Sequence, residues 1–295
     1  MSVNSAAKIK NKVIAVVGPT ASGKTAFAIE LAQKNGGEII SADSRLVYKG
    51  LDIGTAKPTL EERGNIPHYM IDIVEPEVEY SAGLYVDEAK KCIYDIISRG
   101  KTPIMVGGTG LYFRILLESY NLPQVPPNYE LRAELQKLNS DELHSILREL
   151  DEDAAGKIYA NDKKKLIRHI EIIKSTGKKI SDSRGVAEPE FDVEWLGCNY
   201  PRDILYDRIN KRVDLMIEAG LIEETKKLLK KHGRINNLLY TIGYQEIISY
   251  LDGNLTLQEA LVLLKQNTRR YAKRQLTWFR KNENIKWNYY PERLT

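Results

Sequence analysis

Eight consecutive residues, Gly18-Pro19-Thr20-Ala21-Ser22-Gly23-Lys24-Thr25, constrain this chain more than any other feature. They fit the pattern G-x-x-x-x-G-K-[ST] in full. An apolar run at 13–17 precedes them, and a helical pattern from 23 to about 35 follows. A strand, a glycine-rich turn and a helix in that order give the pattern its physical meaning. The glycines let the backbone curl until its N–H groups face inward, and the helix adds its positive N-terminal end. Lys24 can bridge phosphate oxygens and Thr25 can ligate Mg²⁺. The loop therefore points to a diphosphate or triphosphate. It does not distinguish ATP, GTP and an organic diphosphate, which it would cradle alike.

The alternation continues downstream. Residues 38–42 and 69–74 read as strands, 82–98 as a helix and 103–106 as a fourth strand. Strands alternating with helices predict a parallel sheet, so the expected class is α/β, a P-loop NTPase-like sheet flanked by helices. Ligands of such sheets bind outside the carboxyl ends of the strands, which singles out the loops after Val17, Ala42 and Val106. Near residue 121 the texture changes. Pro123, Pro126 and Pro127 break the pattern, 129–176 has a helical period, 177–189 is loop-rich, and 193–198 reads as a strand again. From Arg202 the chain is mostly helical, with 285–290 as a last strand. The simplest organisation is a core of 1–120 and 191–295 interrupted by a helical insertion, 121–190.

Two of those loops carry side chains able to do chemistry. Asp43 follows the second strand, beside the phosphate loop, where a carboxylate can hold a metal or act as general base. It can equally be a turn residue bonded to its own backbone, and position alone does not decide. Thr109, in Gly107-Gly108-Thr109-Gly110, can offer its hydroxyl to a substrate or cap the next helix. The glycine-punctuated segment 50–58 reads as a mobile active-site loop.

A net charge of +4 is too small to name a partner, but its distribution is informative. Residues 260–282 contain no Asp or Glu and seven cations: Lys265, Arg269, Arg270, Lys273, Arg274, Arg280 and Lys281. Arg270, Arg274, Thr277 and Lys281 share one helical face, suited to a phosphate backbone. A second basic cluster, Lys163, Lys164, Lys165, Arg168, Lys174, Lys178 and Lys179, lies in the insertion. The two cysteines, Cys92 and Cys198, form neither a disulfide framework nor a zinc pattern. The polar first dozen residues lack a secretion signal, and no stretch approaches the ~20 apolar residues of a membrane helix. A cytoplasmic protein is expected.

Together these residues resemble the tRNA dimethylallyltransferase (tRNA isopentenyltransferase) family of bacterial type, over nearly the whole chain. The resemblance is carried by 18–25, 40–44, 50–58, 107–112, 208–216 with Gly220-Leu221, 242–246, and Lys273-Arg274-Gln275-Leu276-Thr277-Trp278-Phe279-Arg280. It implies transfer of a dimethylallyl group from dimethylallyl diphosphate, with Mg²⁺, to the exocyclic amine of the adenine just 3′ to the anticodon in tRNAs reading codons that begin with U. Asp43 would then be the base, with Thr109 at the reacting region. Lys24, the loop N–H groups and Arg212 (Arg208 the lesser alternative) would stabilise the leaving diphosphate. Residues 18–25 would cradle it, with Thr25 on the metal. The RNA would be met by Asp43, Ser44, Arg45, Leu46, Arg132, Lys165, Arg168, Lys273, Arg274, Gln275, Thr277, Trp278 and Arg280. The anticodon stem-loop and dimethylallyl diphosphate would be the partners of a monomer. Leu46 stands where the family usually has glutamine, Lys165 replaces a usual arginine, and the zinc finger of eukaryotic relatives is not found.

Two other readings fit part of the pattern. An adenylate isopentenyltransferase acting on free AMP or ATP would share the loop and Asp43 but not need the acid-free basic helix. A nucleotide-switched RNA-binding protein would bind RNA without changing its mass.

Overall fold

An unbroken apolar run marks a strand covered on both faces, and Val13 to Val17 are all buried in β1 (Asn11–Val17). The computed structural model describes residues 11–120, 123, 125–180 and 188–289. Around β1 lie β2 (Gly37–Ala42), β3 (His68–Tyr69), β4 (Thr102–Gly107), β5 (Phe191–Asn199) and β6 (Lys286–Tyr289), all parallel, in the order β3-β2-β4-β1-β5-β6. The α/β class stands. Residue 290, expected in the last strand, falls outside the described residues, as do 181–187 of the expected loop.

The third strand is shorter than its apolar run predicts. Met70 and Asp72 take φ values of 63° and 56°, which interrupt extended backbone. Only His68–Tyr69 pair with β2, and Val74 returns as an isolated bridge to Tyr48.

Helices α1 (Lys24–Asn35), α2 (Leu60–Arg63), α3 (Ala82–Ser98) and α4 (Gly110–Leu117) connect the first four strands and lead out of β4. The Ser81 hydroxyl caps α3 by accepting from Leu84 N. Its buried residues, Tyr85, Ala89, Ile93 and Ile96, form one stripe at helical spacing. After β5 come α9 (Arg202–Glu218), α10 (Leu221–His232), α11 (Asn236–Leu239), α12 (Tyr244–Leu251) and α13 (Leu257–Phe279). Thr256 and Glu259 form a reciprocal capping box that starts α13.

Residues 118–189 form a compact unit of their own, distinct from the unit made by the rest. It contains α5 (Tyr129–Lys137), α6 (Ser140–Leu150), α7 (Glu152–Ala155) and α8 (Lys163–Thr176). Asn128, Asn139, Asp151 and Asp162 each cap one helix start. Leu135, Leu143, Leu147, Leu166, Ile170 and Ile173 supply its separate core.

Strands β2, β4 and β1 end on one row, and β5 continues two residues past it to Asn199. Ala42 of β2 pairs with Gly107 of β4, which pairs with Val17 of β1, which pairs with Gly197 of β5. At the opposite end the carboxylate of Glu38, 1 % exposed, accepts from Arg99 (2.7 and 2.6 Å), Lys101 (2.6 Å) and Tyr69 (2.8 Å), tying together β2, β3 and the residues that lead into β4. The Arg99 guanidinium is the main cause holding that carboxyl down at about 2, against an ordinary 4.5 and against its own burial. A folded pKa below the unfolded one adds stability above about pH 4.5 and loses it as pH falls toward 2. Arg99→Met is therefore expected to lower the thermal midpoint by several degrees at neutral pH. The gap from the unaltered protein should close as pH drops through that window; circular dichroism melts would show it, and a gap independent of pH would contradict the assignment.

Candidate active site

The pattern at 18–25 folds as its chemistry requires. Ser22 N bonds back to Pro19 O at 3.3 Å, and Gly23 takes the left-handed conformation at the start of α1 with no side-chain cap. The first N–H groups of the helix are thus left for a ligand. Gly18 has no room for a side chain: a Cβ there would lie 2.3 Å from the Cys198 carbonyl oxygen. Inside the curl, Ser22 is 1 % exposed and its hydroxyl has no partner among the described residues. A buried orphan of that kind is costly unless a ligand meets it.

Cations converge on the same curl. The ammonium of Lys24 donates to Pro19 O at 3.2 Å. Burial pushes it down to about 8, the Asp43 carboxylate opposes that shift, and Arg212 reinforces it. Arg212 reaches the Thr20 hydroxyl at 3.2 Å, and its guanidinium is lowered first by burial and then by Arg208. Arg208 is otherwise committed, donating to Ala21 O at 3.0 Å and lying 4.6 Å over the Tyr200 ring. Of the two arginines, Arg212 is the one bonded to a hydroxyl of the loop. Three crowded cations and an orphan hydroxyl are suited to receive a polyanion.

Two neighbouring turns complete the site. One carboxylate oxygen of Asp43 accepts from Arg45 N at 2.8 Å, the turn bond expected of an aspartate there. Its charge reaches Lys24, the buried phenol of Tyr112 and the half-buried Tyr271. Both phenols are pushed up, chiefly by burial and then by Asp43. The Thr109 hydroxyl does not cap α4. It accepts from Ser44 N at 3.1 Å, while Thr109 N donates to Ala42 O at 3.1 Å. An oxygen used that way keeps its own proton for another acceptor. Ser44, Arg45 and Leu46 follow, each half-buried, with Arg45 held by Asn237 Oδ1 at 3.0 Å.

Among the described residues no group of three or more His, Cys, Asp or Glu could hold a metal by itself. The donor set would instead be the half-buried Thr25 hydroxyl together with the oxygens of a diphosphate. That set fits Mg²⁺, which keeps several waters and takes few protein groups beside phosphates.

Three expectations change. Gln275, read as an RNA contact, is 5 % exposed and bonded to the phosphate loop and to Gly108. It faces inward because the exposed side of α13 is taken by Arg270, Lys273, Arg274, Thr277, Trp278 and Arg280. The segment 50–58 is anchored, not mobile. Glu224 accepts from Ile53 N (2.9 Å), Gly54 N (3.0 Å) and Tyr244 Oη (2.7 Å), and the buried Lys57 ammonium binds Tyr48 O, Asp52 and Asp72. Arg132 and Arg168, also read as RNA contacts, share the fully buried Glu171. Arg132 donates to it at 2.8 and 2.9 Å, and Arg168 also donates to Val125 O at 2.8 Å. A buried carboxylate needs such partners, so both arginines brace the helical unit. Lys165 remains on its surface, 65 % exposed and paired with Asp162 at 2.7 Å.

The basic stretch of α13 divides by face. Lys265 pairs with Asp214 and Arg269 with Asn210, both on α9. Arg270, Lys273, Arg274, Arg280 and Lys281 are exposed and form no ion pair with the described residues. Lys273, Arg274, Thr277, Trp278 and Lys281 line a shallow groove. No described helix is long and apolar enough to cross a membrane. Neither Tyr271, an aromatic inside a basic helix, nor Asn237, behind Arg45, is signalled by composition or spacing.

Comparison with known proteins finds the IPP transferase family matching residues 46–282 and the isopentenyl transferase family matching 11–75. The tRNA dimethylallyltransferase of Alkaliphilus oremlandii is 47 % identical over 286 residues, 95 % of this chain and 91 % of that protein. That of Carboxydothermus hydrogenoformans is 46 % identical, covering 95 % and 92 %. The crystal structure of the tRNA isopentenylpyrophosphate transferase of Bacillus halodurans superposes with a TM-score of 0.71 at 43 % identity, covering 95 % and 90 % of the two chains. A eukaryotic dimethylallyltransferase captured acting on tRNA gives a TM-score of 0.81 at 32 % identity, covering 91 % and 70 %.

Proposed function

The chain belongs to the IPP transferase family, that of the tRNA dimethylallyltransferases, and from that premise we propose that it transfers a dimethylallyl group from dimethylallyl diphosphate to N6 of the adenine 3′-adjacent to the anticodon, in tRNAs reading codons that begin with U. The observation that carries the reading is the meeting of a polyanion receptor, built on Lys24 and Arg212, with a carboxylate, Asp43, whose charge reaches that receptor. A nucleotide hydrolase would need the receptor but not a base beside the β2 end. An RNA-binding switch would need neither Asp43 nor Thr109 in this arrangement.

The adenine amine is a weak nucleophile because its lone pair is delocalised into the ring. As that pair forms the N–C bond to the allylic carbon, the C–O bond to the diphosphate breaks and its electron pair leaves with the diphosphate. The carboxylate oxygen of Asp43 not used in the turn accepts the amine proton. Negative charge grows on the leaving group, where Lys24, Arg212, the Ser22 hydroxyl and those loop N–H groups not already bonded within the protein would meet it. Thr109, fixed by Ser44 N, donates its hydroxyl proton to an acceptor on the substrates. Thr25 would hold Mg²⁺, which supplies further neutralisation of diphosphate charge when bound.

The adenine must leave its stack to reach Asp43, at a cost of a few kcal/mol. The exposed cations of α13, with Thr277 and Trp278, would hold the RNA backbone, and Ser44, Arg45 and Leu46 would meet the base. In the helical unit Lys165 is the residue offered to RNA, with Arg132 and Arg168 acting through Glu171. A monomer working in the cytoplasm suits a tRNA substrate and two cysteines that are both free. The test is mass spectrometry of tRNA incubated with the protein, Mg²⁺ and dimethylallyl diphosphate. The expected result is a gain of one C5H8 unit on the adenine beside the anticodon. A gain only on free AMP would favour the adenylate enzyme, and ATP hydrolysis without any gain would favour the switch.

A further inference from the structure

One turn of α13 grips two loops of the site at once. The side-chain oxygen of Gln275 accepts from Thr20 N at 2.8 Å, and its amide nitrogen donates to Gly108 O at 3.1 Å. There is no slack in this fit. A Cβ on Gly108 would lie 1.9 Å from the Gln275 nitrogen, and one on Gly110 would lie 2.0 Å from the Trp278 ring. Thr20 belongs to the curl that would hold the diphosphate. Gly108 precedes Thr109, whose hydroxyl fixes Ser44 N beside Asp43. Gln275 thus stands between the donor's anchor and the turn that orients the base.

We propose that Gln275 is a positioning residue for transfer: its amide sets the spacing between the diphosphate and the Asp43–Thr109 pair. The inference rests on the transfer reading above. By accepting from Thr20 N it also decides which N–H groups of the curl are left to face phosphate. The amide needs both its ends. A misplacement near 1 Å in such a site costs on the order of 10²-fold in rate, so losing either bond should appear in kcat.

The experiment uses the full chain with an anticodon stem-loop RNA and compares Gln275→Leu with Gln275→Glu. Leucine removes both bonds. The expected results are a fall in kcat of about 30- to 100-fold, a loss of inorganic pyrophosphate affinity of about tenfold by calorimetry, and stem-loop affinity within about threefold of the unaltered protein by fluorescence anisotropy. Glutamate adds a reversible control. Ionised, it sets an oxygen against Gly108 O; protonated, it regains one donor and one acceptor. Its kcat relative to the unaltered protein should therefore rise at least about fivefold from pH 8 to pH 6, which a merely space-filling residue would not produce. Three results would overturn the proposal: kcat within threefold in the leucine variant, stem-loop affinity falling as far as kcat, or a ratio for the glutamate variant that is flat with pH. If leucine prevents folding, the glutamate series decides alone. Absence of transfer by the unaltered protein would count against the proposed function instead, and pyrophosphate affinity would still read the hold of Gln275 on the loop.

Discussion

Asp43→Asn is expected to lower the rate of dimethylallyl transfer by about 10²–10⁴-fold, the usual contribution of a positioned general base, while tRNA and pyrophosphate binding stay within about threefold. Asparagine is the informative substitution because its oxygen can still accept from Arg45 N, the 2.8 Å bond that shapes the turn. What it removes is the proton-accepting oxygen alone. Alanine would remove the turn bond as well and confuse backbone shape with chemistry. Single-turnover kinetics on enzyme saturated with both substrates would isolate the step. A loss smaller than tenfold would take Asp43 out of the role of base and leave it as the turn residue its hydrogen bond already makes it.

Lys24→Met should be nearly as damaging, by about 10²–10³-fold in transfer, because it strips an oriented cation from the place where charge accumulates. It carries a second signature that separates it from the aspartate variant. The ammonium is enclosed beside Arg212, and burial lowers it to about 8, so the charged form is strained until an anion arrives. Removing it relieves that cost in the free protein and abolishes the return on binding. The free variant should melt no lower than the unaltered protein, and pyrophosphate with Mg²⁺ should no longer raise its melting temperature. A ligand-induced rise of ordinary size would show that the other cations and the backbone suffice, and that Lys24 is not the anchor.

What could be read from the amino-acid order alone follows from how local each signal is. The strand, curl and helix of 13–35 are specified by neighbours in sequence, and they fold as the pattern predicts. The helix 82–98 was legible for the same reason: a capping serine, a stripe of apolar residues and no interruption. The shortened β3 was not, because the apolar run 69–74 hides two left-handed residues, Met70 and Asp72, that no periodicity reveals. The site residues that found unexpected partners share a cause. A glutamine in a basic helix, two arginines in a basic insertion and a glycine-rich loop all look outward when only composition is visible. Distant partners account for most of this: Gln275 is held by Thr20 and Gly108, Arg132 by Glu171, Arg168 by Val125 O as well as by Glu171 three residues along its own helix, and 53–54 by Glu224. Long-range polar pairing leaves no periodic trace, so charge and polarity alone overcount the surface.

The row of paired residues that runs from Ala42 through Gly107 and Val17 to Gly197, the last residues of β2, β4 and β1 beside β5, has a further consequence. A slip of one residue in any of these pairings would displace its loop by about 3.3 Å and reverse every side chain on that strand. Bond-making distance is thereby inherited from the backbone ladder, a ruler that no single reacting side chain can recalibrate. Descendants of this chain are free to vary the loops' chemistry, and so the group accepted or donated, for as long as the ladder keeps its count.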